Sequence, residues 1–199
     1  MGKHQKKRKL NKQAGTPQAK QFSANAPQHD ELANKKVHVF VDDQNLFYGI
    51  INSERDLSYR IDFGSLLRVA ATSSSTNMAR EVGSAYIAGV VPDDDSFWEA
   101  AKARGFKVHR GFLNASGRSK QDDAYLITQI METLYEEEGP ATIVLVAGDA
   151  DYMPPLQKCI KKGWRVELTF TNSGGGISSR LQNHVHEFRN FSSSDIERH

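Results

Sequence analysis

The chain has 199 residues, a single cysteine (Cys159) and a formal net charge of +2. That length suffices for one domain with a full hydrophobic core, and one cysteine excludes an internal disulfide framework. No stretch approaches the about 18 apolar residues that a membrane-spanning helix needs. The N-terminus is basic but has no apolar segment behind it, so it does not read as a secretory signal. A reducing, cytoplasmic setting is therefore expected. A nuclear one follows instead if Lys6-Lys7-Arg8-Lys9 acts as an import signal.

The charge is unevenly placed. Residues 1–36 hold nine Lys and Arg against Asp30 and Glu31, a net of +7, which leaves −5 for the rest. Residues 1–34 are nearly devoid of apolar side chains and carry Pro17 and Pro27, a composition that cannot offset chain entropy by burial. They are expected to form a disordered basic arm. A folded domain is expected over 35–191 and a flexible tail over 192–199.

From Lys35 onward apolar runs alternate with helical patterns, which predicts an α/β fold with a parallel sheet covered on both faces. Val37–Val41 is the first strand, and a helix follows from about Gln44. A second helix spans Phe63 to Ala71. Ser84–Val91 forms the second strand, then Pro92-Asp93-Asp94-Asp95 opens a helix ending at Gly105. Those three acids suit a helix start, where the dipole favours them. Phe106–Phe112 is the third strand, Gln121–Glu138 a long helix closed by Gly139-Pro140, and Ile143–Ala147 the fourth strand. A helix runs to Lys162, and Trp164–Phe170 is the fifth strand. The first and fourth strands are almost continuously apolar, as central strands are. The third and fifth alternate apolar with polar residues, as edges do. The expected strand order is 3-2-1-4-5.

That order has a chemical consequence. Asp42 follows the first strand directly, and Asp149 and Asp151 follow the fourth. Ligands of open parallel sheets bind beyond the carboxyl ends of the strands where the order reverses, here between strands one and four. Asp123 joins them if Ile127, Ile130 and Leu134 form the buried face of the long helix, since positions 123, 127, 130 and 134 share one stripe. Asp122 lines up with Leu126, Gln129 and Thr133, a more polar face, and is read as a first-turn acid favoured by the dipole.

Clustered carboxylates repel one another unless a cation compensates. All the candidate ligands are hard oxygens, which selects Mg²⁺ or Mn²⁺ over zinc or copper. Such a metal beside an open cleft suits phosphodiester hydrolysis. Arg110, Arg118 and Lys120 bracket a polar loop whose charge suits an RNA backbone.

Three segments, Val39-Phe40-Val41-Asp42-Asp43-Gln44-Asn45-Leu46-Phe47, Lys120-Gln121-Asp122-Asp123 and Ala147-Gly148-Asp149-Ala150-Asp151-Tyr152, together resemble the NYN domain. This is a branch of the PIN-like nuclease superfamily that includes the LabA-like proteins. The match continues through Pro155-Leu156 and Gly163-Trp164-Arg165-Val166, covering roughly 36–190.

The resemblance implies a PIN-like three-layer α/β/α fold and metal-dependent endoribonuclease activity leaving a 5′-phosphate. The acidic site would map to Asp42, Asp123, Asp149 and Asp151. Asn45 would bind a metal-bound water or brace Asp42, and Lys120 would contact a phosphate. The chain departs from the family pattern at Ala147, often Ser or Thr, and at Gln129, often Asp. These departures support the alternative of a weakly active or inactive RNA-binding module. A haloacid-dehalogenase-like phosphatase is more distant, because it needs an acid where Gln44 stands. Single-stranded RNA is the expected partner, since a narrow cleft admits a splayed strand more readily than an A-form helix. Homo-oligomerisation is left open.

Overall fold

The computed structural model describes residues 31–54, 60–90, 95–111, 121–171 and 177–197. Six parallel strands form one sheet: β1 (Val37–Asp42), β2 (Val82–Gly89), β3 (Lys107–Arg110), β4 (Thr142–Val146), β5 (Arg165–Thr171) and β6 (Glu187–Phe191). Their order is β3-β2-β1-β4-β5-β6. The helices are α1 (Asp43–Glu54), α2 (Phe63–Ala71), α3 (Asp95–Ala103), α4 (Asp122–Glu136), α5 (Met153–Lys161) and the short α6 (Ser179–Gln182). Among the described residues no helix is long and apolar enough to cross a membrane.

Two-residue alternation sorts the strand side chains into two cores. Val37, Val39 and Val41 of β1 join Val144 and Val146 of β4 beneath α1, α2 and α3, with Leu46, Leu66 and Trp98. Phe40 packs on the opposite face with Ile143, Leu145 and the α4 and α5 residues Leu126, Ile130 and Leu156. Asp42 has the parity of Phe40, so β1 directs it toward the α4 face. All six residues of β1 and all five of β4 are buried, as central strands require. Gly105 after α3 and Gly163 after α5 have φ of 91° and 83°, the left-handed conformation that ends helices at little cost to glycine.

The expected order holds for the first five strands, but β5 is not an edge. β6 pairs with it in parallel from Glu167↔Glu187 to Thr171↔Phe191. Two of the alternating polar residues of β5, Arg165 and Glu167, are buried in an ion-pair network. Arg80 donates to both Glu167 oxygens at 2.9 and 2.8 Å, and Arg165 donates to Glu167 at 2.8 Å and Glu187 at 2.6 Å. Arg80 and Arg189 also bond the terminal carbonyls of α2, including Ala70 and Thr72. The network therefore ties the last two strands to the end of a helix.

The folded body also reaches past both expected boundaries. Leu32 and Ala33 are buried, and their carbonyls accept from Thr142 Oγ1 at 2.8 Å and Arg80 Nη1 at 3.1 Å. At the other end Ile196 is fully buried in the α2 core, and Glu197 bridges Ile61. Burial of these apolar side chains offsets the entropy of ordering their segments. The remaining part of the expected basic arm, residues 1–30, lies outside the described residues.

Candidate active site

The sheet turns the chain in opposite directions after β1 and β4, and the carboxylates gather where it does. Asp42 is the last residue of β1 and is 4% exposed. Its Oδ1 accepts the Asn45 backbone N–H at 2.8 Å, so it caps the first turn of α1. Its Oδ2 accepts from the Tyr152 hydroxyl at 3.0 Å. The same hydroxyl lies 3.1 Å from Oδ1 of Asp123, on the first turn of α4. One phenolic hydrogen faces two carboxylates.

This arrangement controls protonation. Burial, and then the neighbouring Asp123 charge, push the Asp42 carboxyl up to about 7, against the lowering effect of the Asn45 and Tyr152 hydrogen bonds. The Tyr152 phenol is pushed far above its ordinary range by burial and by the two facing carboxylates. It therefore stays protonated at any physiological pH and acts as a fixed donor. A cation bound beside Asp42 would compete with the proton that burial favours there.

Asn45 makes two contacts here. Its backbone N–H holds Asp42, and its side-chain oxygen accepts the Gly148 N–H at 2.7 Å. It thereby joins the end of β1 to the loop leaving β4. That loop carries Asp149, whose side chain accepts the Asp151 N–H at 3.1 Å and caps the 3₁₀ turn Ala150–Tyr152. Asp149 and Asp151 are exposed at the rim, whereas Tyr152 is fully buried.

The long helix differs from expectation by one position. Its buried stripe is Asp122, Leu126, Ile130, Thr133 and Leu134, and Asp123 is only half-buried. An apolar stripe is wide enough for two consecutive residues to reach the core side at a helix end. Both acids therefore point inward, and the reading of Asp122 as a merely dipolar residue is corrected. Asp122 is 3% exposed. Its charge and that of Asp42 act on Asp43, which burial chiefly pushes up to about 7.

Two glycines leave room for this second acidic pair. A Cβ at Gly111 would lie 1.7 Å from Asp122 Oδ1, and one at Gly89 would lie 2.7 Å from the Asp43 Cβ. Gly111 N–H donates to the Gly89 carbonyl at 3.0 Å, holding the two together where β2 and β3 end.

Sequence reasoning assigned no role to Asp43 or Tyr152. Both stand inside the quoted motifs, and the signal was a strand-end acid doubled at 42 and 43 and a tyrosine fixed one residue after Asp151. Arg110 closes β3 and pairs with Asp95 at the start of α3, so an RNA phosphate would have to displace that partner. Arg118 and Lys120 fall outside the described residues, as do Asp93 and Asp94. Gln129 donates to Glu132 at 2.7 Å on the surface of α4, turned to solvent, and Ala147 is packed into the α5 core.

A cavity of about 360 Å³ between the starts of α2 and the end of α3 is lined by Ile61, Asp62, Phe63, Ala100, Ala103 and Arg104, and includes none of the strand-end acids. Among the described residues no three His, Cys, Asp or Glu side chains are gathered as a ready-made metal cage. Mg²⁺ does not require one: it is commonly held by one or two carboxylates and keeps several waters. The all-oxygen Asp42–Asp123 pair, facing one shared hydroxyl, fits that demand.

A family model for the NYN domain matches residues 36–193. Among solved structures, a protein of unknown function, VPA0982, from Vibrio parahaemolyticus RIMD 2210633 has a similar fold, with a TM-score of 0.65 and 19% identity. That likeness spans 83% of this chain and 98% of the other, and at this identity it speaks for the fold alone. No match was found among curated proteins. The extent of the family match decides the assignment: the chain belongs to the NYN domain family, within the PIN-like nuclease superfamily.

Proposed function

We propose that this protein is a Mg²⁺- or Mn²⁺-dependent endoribonuclease acting on single-stranded RNA. The observation that carries the reading is the meeting of Asp42 and Asp123 at one buried hydroxyl, at the reversal point of the sheet. A bound metal would be held by Asp42 and Asp123 with Asp149 and Asp151 at the rim, and would supply Lewis acidity and an acidified water.

The remaining roles belong to the chain itself. Tyr152 keeps the two carboxylates oriented and donates to whichever is charged. Asn45 holds the ends of β1 and β4 at fixed separation, so that the rim acids keep their place relative to Asp42. The exposed carboxylates of Asp149 and Asp151 can accept a proton from an attacking water or orient it through a hydrogen bond.

The test is incubation of a fluorescent single-stranded RNA with Mn²⁺, Mg²⁺ or EDTA, using the wild type beside Asp42→Asn and Asp149→Asn. Metal-dependent cutting by the wild type and none by the variants is expected. Intact RNA under every condition, with binding that weakens as salt rises, would favour an RNA-binding module instead.

A further inference from the structure

We infer that Lys158, Lys161 and Lys162 form a phosphate track along α5 that guides a single RNA strand to the carboxylates, an inference that rests on the RNA reading above. Helix α5 packs Met153, Leu156 and Cys159 into the same core as Phe40 and Leu126, so it lies on the sheet face toward which Asp42 points. It starts at the site itself. Tyr152, whose hydroxyl faces Asp42 and Asp123, immediately precedes its first residue. From that turn to the helix end the exposed residues are Asp151, Pro154, Lys158, Lys161 and Lys162. Spacings of 3, 4 and 3 from Asp151 to Lys161 put them on one solvent-facing ridge. The ridge begins with a rim acid and ends in three cations.

The helix alone does not account for those cations. Its dipole favours a positive charge in the last turn. Lys158, however, stands three and four residues from the other two, the spacings at which like charges on a helix repel. Among the described residues no carboxylate lies within ion-pair distance of any of the three, whereas Lys36, Lys102 and Arg110 are paired with Glu137, Glu99 and Asp95. Lys162 lies over the Tyr135 ring, 5.5 Å from its centre, a contact that leaves its charge unneutralised. The chain beyond residue 36 has a net charge of −5, so the cluster is a local reversal of sign on an acidic body.

The occupant that fits is a polyanion whose charges repeat along a line. With a rise of about 1.5 Å per residue, Lys158 stands about 10 Å and Lys161 about 15 Å along the ridge from Asp151. At about 3.4 Å per stacked nucleotide, those positions are roughly three and four to five nucleotides from a phosphate at the rim. The acids at the site repel a phosphate until a cation is bound. Contacts remote from them must therefore hold the strand, and the lysines supply such contacts on the helix that leaves the site.

The experiment measures binding of a labelled oligouridylate by fluorescence anisotropy in EDTA, where no metal supports cutting, across a range of salt concentrations. Full-length wild type is compared with Lys158→Gln/Lys161→Gln, with Lys158→Arg/Lys161→Arg, and with Arg68→Gln/Lys102→Gln. The last pair removes the same charge from α2 and α3, on the opposite face of the sheet. Loss of two phosphate contacts is expected to make the slope of log affinity against log salt shallower by about 1.4, and to weaken binding about fivefold per lysine at about 0.1 M salt. The arginine variant should bind as the wild type does, and the opposite-face variant should lose less than twofold. Unchanged affinity, equal loss in the opposite-face variant, or no binding by the wild type would each overturn the track. Unchanged RNA binding with altered self-association in sedimentation would give the ridge to a second copy of this chain and overturn it too. Cleavage in Mn²⁺ is scored separately: KM should rise in Lys158→Gln/Lys161→Gln with kcat within twofold, and a KM that does not move overturns the track. Cutting without ridge-dependent binding sinks the track and leaves the nuclease, whereas ridge-dependent binding without cutting keeps the track on an RNA-binding module and sinks the nuclease.

Discussion

The Tyr152 hydroxyl donates to Asp42 across 3.0 Å of space and 110 residues of chain. That bond links the 3₁₀ turn after β4 to the end of β1 and makes the tyrosine a structural partner of the acids. Tyr152→Phe removes only the oxygen from a fully buried ring, so the fold should survive with a loss of about 1–2 kcal/mol. The deficit should be larger at pH 8 than at pH 5, because only charged carboxylates need the donor. RNA cleavage by the variant should fall at least tenfold. Thermal unfolding at the two pH values and initial cleavage rates test this, and a variant as active and as pH-insensitive as the wild type would remove Tyr152 from the site.

The raised carboxyls make metal-free stability depend on pH with a definite sign. Asp42 and Asp43 titrate near 7 in the fold against 3.8 in the unfolded chain. Between those values the folded state binds more protons than the unfolded state, so stability falls as pH rises from about 4 to about 7 and then levels. A shift of this size corresponds to roughly 4 kcal/mol for an isolated group. Protein in EDTA should therefore melt at a higher temperature at pH 5 than at pH 8. Asp43→Asn, which cannot ionise, should flatten the profile and gain stability at pH 8. A profile rising toward pH 8 in both proteins would contradict the assignment.

Much of this was legible from the chain because strand burial writes itself into composition. Ile143–Val146 is apolar throughout and Val37–Val41 apolar but for His38, which placed β1 and β4 centrally and so put Asp42 beside the loop of Asp149. The sixth strand was not legible: Glu187 and Arg189 look like surface residues, and only the third dimension shows them paired with Arg165 and Glu167. The same holds for Asp122. Helical periodicity distinguishes faces, but it cannot tell which of two adjacent first-turn acids finds room, and that room is made by Gly111, just past the end of β3.

That space gives a sharp test. Gly111→Ala would set a methyl group against the Asp122 carboxylate, so either the strand end or the acid must move. A destabilisation of about 1–3 kcal/mol is expected, the usual cost of overpacking. Gly139→Ala, where a Cβ meets nothing within 4 Å, serves as the control and should cost less than about 0.5 kcal/mol. Equal melting temperatures for the two variants would mean that Asp122 is not held where it lies.

The Arg–Glu network should separate stability from chemistry. Glu167 is 1% exposed and accepts from Arg80 and Arg165, whose guanidinium groups hold its carboxyl below the ordinary range although burial opposes them. Glu167→Gln keeps the shape but removes the charge, leaving two buried guanidinium groups without their shared counterion. Breaking a buried pair from one side costs about 3–5 kcal/mol. The folded fraction should therefore drop steeply in chemical denaturation. Because β5 and β6 lie beyond β4, away from the Asp42–Asp123 contact, the cleavage rate per folded molecule should stay within about twofold of wild type, by the near-independence of distant sites. A rate that fell as far as in Asp42→Asn, measured well below the melting transition, would instead show that the network positions the carboxylates.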